Sequence, residues 1–192
     1  MEHSKQNLYL VVLGGKAPEA NIELHDVRWV IGSKIEDTYD YLRESWFGSL
    51  EDLHIDSYKK IDTVDGFKIN LKKRDIKNKE LNKCKKIEDF VNRLWFVNLG
   101  AYDPLSMQEK HEFGLLVAKN SKEAKNKAKS RWLKGYQKRH KDDIAKLEII
   151  SDVDNCLLLK NIGDWEIELI IQKHNIKESK APDWFGYLKL DN

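Results

Sequence analysis

An internal duplication constrains the fold of this 192-residue chain more than any other feature of its sequence. When the chain is shifted against itself by 86 positions, residues 8–62 align with residues 94–148 without a gap, and eleven of the 55 pairs are identical. Unrelated segments of average composition would share only about three to four residues over this length. The identical pairs are Leu8/Leu94, Val11/Val97, Leu13/Leu99, Gly14/Gly100, Pro18/Pro104, Glu23/Glu109, His25/His111, Trp46/Trp132, His54/His140, Asp56/Asp142 and Lys60/Lys146. A repeat this long indicates two fused copies of a small domain rather than a solenoid.

The hydrophobic pattern predicts the same order of elements in each copy. Two apolar strands, "LYLVVLG" then "DVRWVIG" and "LWFVNLG" then "EFGLLVA", precede an amphipathic helix. The first helix buries Ile35, Tyr39, Leu42 and Trp46, and the second begins at Ser121 as its N-cap. A hairpin follows, with a turn at Asp65-Gly66 in the first copy. The sequence therefore predicts an α+β fold of two tandem β-β-α-β-β repeats, related by a pseudo-twofold axis, with helices packed on antiparallel or mixed sheets.

The repeats also predict the domain boundaries. Residues 1–73 form the first repeat, residues 74–91 a polar linker, and residues 92–192 the second repeat with a C-terminal tail. The tail "APDWFGYLKLDN" contains three aromatic residues and is predicted to pack on the domains.

Composition and the N-terminus limit the class of protein. The chain is 41% hydrophobic and 34% charged, has no run of 18 apolar residues, and does not begin with a signal peptide. Its two cysteines, Cys84 and Cys156, have no spacing typical of a disulfide framework or a thiolate zinc site. We therefore expect a soluble cytoplasmic protein with no membrane partner.

Four polar residues of the first copy, Glu23, His25, His54 and Asp56, form the candidate site. Their equivalents in the second copy, by the 86-residue shift, are Glu109, His111, His140 and Asp142. Residues two apart on a strand point to the same side, so each Glu-x-His and His-x-Asp pair presents two polar groups together. If the second and third strands begin side by side, each copy gathers two imidazoles and two carboxylates.

Such a set supports four interpretations. It suits a divalent metal such as zinc, manganese or iron, with the histidines and carboxylates as ligands. It also suits proton transfer, with His25 as general base and the carboxylates orienting it. Alternatively, the four residues only hydrogen-bond loop backbone, or hold a ligand without chemistry. The neighbouring pair Gly14-Gly15 is interpreted as a turn that needs positive φ.

A basic segment indicates a different class of function. Residues 119–141 contain ten Lys or Arg and one acidic residue, Glu123, although the formal net charge of the chain is only +2. The predicted helix within residues 121–139 would bind nucleic acid phosphates or an acidic protein. The equivalent first helix is acidic, so the two helices would alternatively mediate contacts between copies, including a homo-oligomer. A solvated lysine-rich face is the third interpretation.

Three stretches of the first copy, "LGGKAPEANIELHDVRWVIG", "EDTYDYLRESWFG" and "LHIDSYKKIDTVDGFKINL", resemble the bacterial domain-of-unknown-function family numbered 1543. The resemblance covers nearly the whole chain, and it implies one or two copies of the domain but no activity or cofactor. The motif residues matched are Gly14, Gly15, Glu23, His25, Asp26, Trp46, Phe47, Gly48, His54, Asp56 and Ser57. The second copy departs from this pattern at Ala101, Glu112 and Asp143, which favours the first copy as the one that carries any activity.

Overall fold

The computed structural model describes residues 5–74, 91–102, 107, 109–132, 152–172 and 179–190. These residues form eleven strands, two α-helices and one turn of 3₁₀ helix at Ile35–Thr38. The elements are β1 (Asn7–Gly15), β2 (Leu24–Gly32), α1 (Tyr39–Glu44), β3 (His54–Ile61), β4 (Thr63–Val64), β5 (Phe67–Lys73), β6 (Arg93–Tyr102), β7 (Glu109–Ala118), α2 (Ser121–Trp132), β8 (Asp152–Leu158), β9 (Asn161–Ile162), β10 (Trp165–Ile171) and β11 (Trp184–Lys189).

The strands form three sheets, and every strand pair in the described part of the chain is antiparallel. The orders are β11-β3-β1-β2, β4-β5-β10-β9 and β7-β6-β8. The predicted α+β class is confirmed, with antiparallel sheets and only two α-helices among the described residues.

The chain divides into two compact units. The first contains residues 1–74 and 161–192, and the second contains residues 75–160. The C-terminal segment belongs to the first unit because β10 pairs with β5 and β11 pairs with β3. The compact units therefore do not follow the order of the two sequence copies along the chain.

The core of the first unit lies between one face of the sheet β11-β3-β1-β2 and the segment around α1. Alternate residues of β1, Tyr9, Val11 and Leu13, point to this face, as the period of a strand requires. The predicted stripe Ile35, Tyr39, Leu42 and Trp46 packs against them. The helix itself is shorter than predicted, because a 3₁₀ turn replaces its beginning and α1 ends at Glu44. Trp46 is nevertheless buried, with 7% of its surface exposed.

The core of the second unit is built in the same way, with α2 packed on the sheet through Ala124 and Ala128. The N-cap of α2 is Asn120 rather than the predicted Ser121. The N–H of Glu123 donates to Asn120 Oδ1 at 2.9 Å, which satisfies one of the free N–H groups of the first turn. The part of the predicted helix that follows Trp132 lies outside the described residues.

Two further local predictions have clear outcomes. Asp65 (φ 53°) and Gly66 (φ 79°) have the positive φ of a type I′ turn and connect β4 to β5 as a hairpin. The tail packs on the first unit, where β11 adds a fourth strand beside β3 and Trp184 stacks on Tyr58. Within the described segments, no helix combines the length and apolar character that crossing a membrane requires.

Candidate functional site

The candidate site begins with a row of three residues across the first sheet. Gly14 on β1 lies opposite His25 on β2 and opposite His54 on β3. Residues opposite each other in a sheet point to the same face, so the two imidazoles lie on either side of Gly14. Because strands are about 4.8 Å apart, only a residue without a side chain lets the two rings approach across the middle strand.

Gly14 is therefore required for close approach, and its interpretation as a turn residue is wrong. Both Gly14 and Gly15 are extended residues of β1. A Cβ at Gly14 would lie 2.5 Å from His54 Nε2 and 3.1 Å from Asp56 Oδ2, which is closer than van der Waals contact. The absence of this single carbon makes space for the ring of His54.

Two carboxylates bridge the two imidazoles. Asp56 lies 3.1 Å from His54 Nε2 through Oδ1, and 3.3 Å from His25 Nε2 through Oδ2. Glu23 lies 3.2 Å from His54 Nε2 through Oε1, and 3.8 Å from His25 Nε2 through Oε2. The structure thus brings together all four residues of the first copy, and each carboxylate contacts both rings. We call these four residues the His–carboxylate cluster.

A β-bulge in β3 places Asp56 in the cluster. Ser57 lies opposite Val12 and Ile55 lies opposite Leu13, so Asp56 is an extra residue without its own partner on β1. Bulges bend a strand and change the direction of the bulged side chain. The contact of Asp56 with both histidines depends on this irregularity, which hydrophobic periodicity does not reveal.

His54 is the buried member of the cluster, with 2% of its side chain exposed. Its Nδ1 lies 2.7 Å from the backbone carbonyl of Asp52. A carbonyl only accepts, so Nδ1 carries a proton and donates it there. Nε2 faces one oxygen of each carboxylate, so both nitrogens of the ring have a polar partner.

His25 is the exposed member, with 53% of its side chain accessible to solvent. Its Nε2 contacts the two carboxylates, whereas its Nδ1 has no protein partner in the described part of the chain. The ring is therefore held from one side and open to solvent on the other.

The second copy reproduces part of this arrangement. Gly100 lies opposite His111, and His111 Nε2 lies 3.7 Å from Glu109 Oε2. On the other side, however, Gly100 lies opposite Asp152. In strand register, Asp152 takes the position of His54, a correspondence that differs from the one given by the 86-residue shift. The shift-derived equivalents His140 and Asp142 lie outside the described residues.

The bulge also recurs in the second copy. Asn155 lies opposite Asn98 and Val153 lies opposite Leu99, so Asp154 is the extra residue on β8. Asp154 therefore holds the register position of Asp56. By register, the second copy has one histidine where the first copy has two.

Metal coordination was one of the expectations from sequence. No group of three or more His, Cys, Asp or Glu side chains in the described segments is arranged to hold a metal ion. In the His–carboxylate cluster, the imidazole nitrogens and carboxylate oxygens contact each other directly.

The residues around the cluster carry no signal in the sequence. The carbonyl of Asp52, which orients His54, belongs to a loop without a recognisable motif. The ring of Tyr187 lies on that of His54, with ring centroids 4.0 Å apart. The tail was predicted to pack on the domains, but nothing in its sequence pattern indicated that it would pair with β3.

Comparison with known proteins gives a family and a structural neighbour. None of the curated proteins is significantly similar to this chain. The crystal structure of a protein Il1583 from Idiomarina loihiensis is similar to it with a TM-score of 0.68 and 29% sequence identity, over 97% of this chain and 99% of that one. The sequence profile of the Domain of Unknown Function DUF1543 matches residues 20–71 and again residues 106–157. The chain therefore belongs to the DUF1543 family and carries two copies of its domain.

Proposed function

We propose that the His–carboxylate cluster of the first repeat is an acid–base site, which binds a small polar ligand and exchanges a proton with it through His25. The observation that carries this proposal is the geometry of His25. Asp56 holds its Nε2 at 3.3 Å, while Nδ1 is left for a ligand on the solvent side. A carboxylate that orients one imidazole nitrogen and stabilises the imidazolium is a common arrangement for general bases.

The other residues support this role through their positions. His54 holds Glu23 and Asp56 in place, because it contacts an oxygen of each. The buried ring of His54 is fixed by Asp52, so the cluster has one rigid imidazole and one accessible imidazole. A purely structural network would gain little from keeping more than half of His25 in solvent.

The accessibility of His25 to diethyl pyrocarbonate tests the proposal. This reagent modifies unprotonated imidazole, and peptide mass mapping assigns the rate to each histidine. We expect Asp56→Asn to raise the rate at His25 several-fold, since a neutral amide beside Nε2 no longer favours the protonated ring, which the reagent does not attack. Asp62→Asn is the matched control, because Asp62 pairs only with the surface residue Lys60, at 3.2 Å. Equal rates at His25 in the wild type and in Asp56→Asn would contradict the proposal.

Zinc titration separates this role from metal binding. A metal site would require the four side chains to move apart, because their nitrogens and oxygens are now in contact. If one equivalent of zinc binds and protects the exposed His25 from the reagent, the cluster is a metal site and the acid–base proposal is wrong. No protection at one equivalent supports the acid–base site.

We also propose that the two copies are β-β-α-β-β repeats related by a local pseudo-twofold axis. Strands β5 and β10 pair antiparallel, with Asn70 opposite Glu168 and a hydrogen bond of 3.0 Å between their side chains. The hairpins β4-β5 and β9-β10 hold corresponding places in the two copies, so an axis between Asn70 and Glu168 would exchange them. This supports domain boundaries near residues 73 and 92. Crystallography tests this axis, and a rotation far from 180° between the hairpins β4-β5 and β9-β10 would contradict it.

A second candidate function is nucleic acid binding by α2. Three lysines spaced three and four residues apart, Lys122, Lys125 and Lys129, are exposed along one side of this helix. In contrast, Lys127 is paired with Glu123 at 2.9 Å and donates to the carbonyl of Val117. Cationic surfaces that bind phosphates lose affinity steeply as salt increases. A triple Lys→Gln variant should therefore abolish low-salt DNA or RNA binding, and no affinity of the wild type at low salt would remove this candidate.

A further inference from the structure

The C-terminal strand supplies an aromatic side chain to the first-repeat cluster. The ring of Tyr187 lies on the imidazole of His54 with an interplanar angle of 30° and centroids 4.0 Å apart. Tyr187 is 60% exposed, so burial in a core does not account for its position. Its ring covers one side of an imidazole that is otherwise enclosed by Gly14 and Asp52.

A bulge in β11 turns Tyr187 toward the cluster. Leu188 pairs with Ile55, where an unbroken ladder would have placed Tyr187. Ile55 is fully buried in the core, so without the bulge Tyr187 would point to the core face. The extra residue gives that place to Leu188, which packs on the core, and leaves Tyr187 on the face that carries His54.

The backbone of β11 has an unusual conformation next to Tyr187. Gly186, the residue before Tyr187, has φ 150°, a value that residues with a side chain rarely adopt. A Cβ at Gly186 would also lie 3.2 Å from the ring of Trp184. A glycine and an extra residue are thus used to place one exposed aromatic ring on one buried imidazole, as is common beside functional sites.

The first repeat alone has this strand in the described part of the chain. The sheet of the second unit has three strands there, β7-β6-β8, and Asp152 takes the register position of His54. The aromatic ring of Tyr187 therefore lies in the copy that has a histidine at this register position.

We infer that Tyr187 is a positioning residue of the acid–base site: its ring packs on the imidazole of His54 and fixes that imidazole against Glu23 and Asp56. This inference rests on the proposed function for the importance of the cluster. Two packed aromatic rings restrict each other's rotation, so the contact keeps Nε2 of His54 directed toward both carboxylates. Because the same two carboxylates hold His25, Tyr187 thereby fixes the geometry of the whole site.

The test is the solvent exchange rate of the His54 Nδ1–H proton, which donates to the carbonyl of Asp52, in NMR spectra of the full chain. Tyr187→Leu keeps an apolar side chain but removes the packed ring, and should raise this exchange rate several-fold, because the imidazole is no longer held in place. Tyr187→Phe keeps the ring and should remain within about twofold of the wild type. Phe185→Leu is the control, since Phe185 is an exposed ring on the same strand.

Each outcome decides the inference. An unchanged exchange rate in Tyr187→Leu would overturn it, as would an equal rise in Tyr187→Phe, which would assign the effect to the hydroxyl. Equal rises in Tyr187→Leu and Phe185→Leu would overturn it too, because they would assign the effect to the strand and not to the ring of Tyr187. The modification rate of His25 is measured separately, so failure of the acid–base proposal leaves a different signature from failure of this one.

Discussion

His54 and Asp152 occupy the same position in the strand registers of two sheets: His54 lies opposite Gly14, and Asp152 lies opposite Gly100. The two copies thus share a glycine on the middle strand but differ in the residue opposite it, a histidine in one and an aspartate in the other. The copies have therefore diverged at this register position.

This divergence predicts that the first repeat does not tolerate the residue of the second. His54→Asp places a carboxylate, 2% exposed, beside Glu23 and Asp56. We expect a loss of about 3–5 kcal/mol in the free energy of unfolding, as for a buried charge that has lost its partner. Urea denaturation followed by circular dichroism measures this. His25→Asp, at a site that is 53% exposed, should cost no more than about 1 kcal/mol. Similar losses in both variants would show that the carboxylates rearrange freely.

The sequence predicted the four residues of the cluster but not the way in which they meet. Glu23 and His25 recur at the same strand positions in both copies, because the shift of 86 positions holds through β1 and β2. For these two residues, recurrence in the sequence therefore identified equivalent places in the fold. The shift fails at the third strand, since Asp152, not His140, holds the register position of His54. An ungapped comparison cannot place an insertion that precedes a strand.

The bulges and the pairing of β11 with β3 could not be predicted from the sequence either. A bulge changes the alternation of side chains by one residue, and the residue Asp56 gives no signal that it is unpaired on β1. Pairing of β11 with β3 joins residues more than 120 positions apart. Local propensity contains no information on such pairs, which depend on which sheet edge is available.

Gly14→Ala should destabilise the protein through the ring of His54. Gly14 has extended backbone, so alanine would otherwise be tolerated or favoured in a strand. Its Cβ would meet His54 Nε2 at 2.5 Å, and we expect a loss of about 1–3 kcal/mol from overpacking. His54→Ala removes the obstructing ring. In a double-mutant cycle, the cost of Gly14→Ala should therefore be largely relieved in the His54→Ala background. Additive losses would place the strain elsewhere.

The two buried tryptophans Trp46 and Trp95 should respond differently to phenylalanine. They are 7% and 8% exposed, so both variants lose similar apolar area. Trp95 Nε1 donates to the carbonyl of Ala118 at 3.0 Å, whereas the buried Nε1 of Trp46 has no hydrogen-bond partner in the described structure. We expect Trp95→Phe to cost about 0.5–1.5 kcal/mol more than Trp46→Phe in the free energy of unfolding. Trp46→Ala, which removes the whole ring, should cost about 3–5 kcal/mol.

The start of α2 should weaken at acid pH through Glu123. The N–H of Lys119 donates to its carboxylate at 2.9 Å, and Lys127 pairs with it, so these contacts hold the pKa of Glu123 below the ordinary value of 4.5. A lowered folded pKa means that the stabilisation is present above pH 4.5 and is lost as pH falls through the folded value. The side chain is 36% exposed, so the loss should be only about 0.3–0.5 kcal/mol. Amide hydrogen exchange at Lys119 and in the first turn of α2 measures it. Glu123→Gln keeps the acceptor without titrating, and an equal acid response in that variant would assign the effect to other carboxylates.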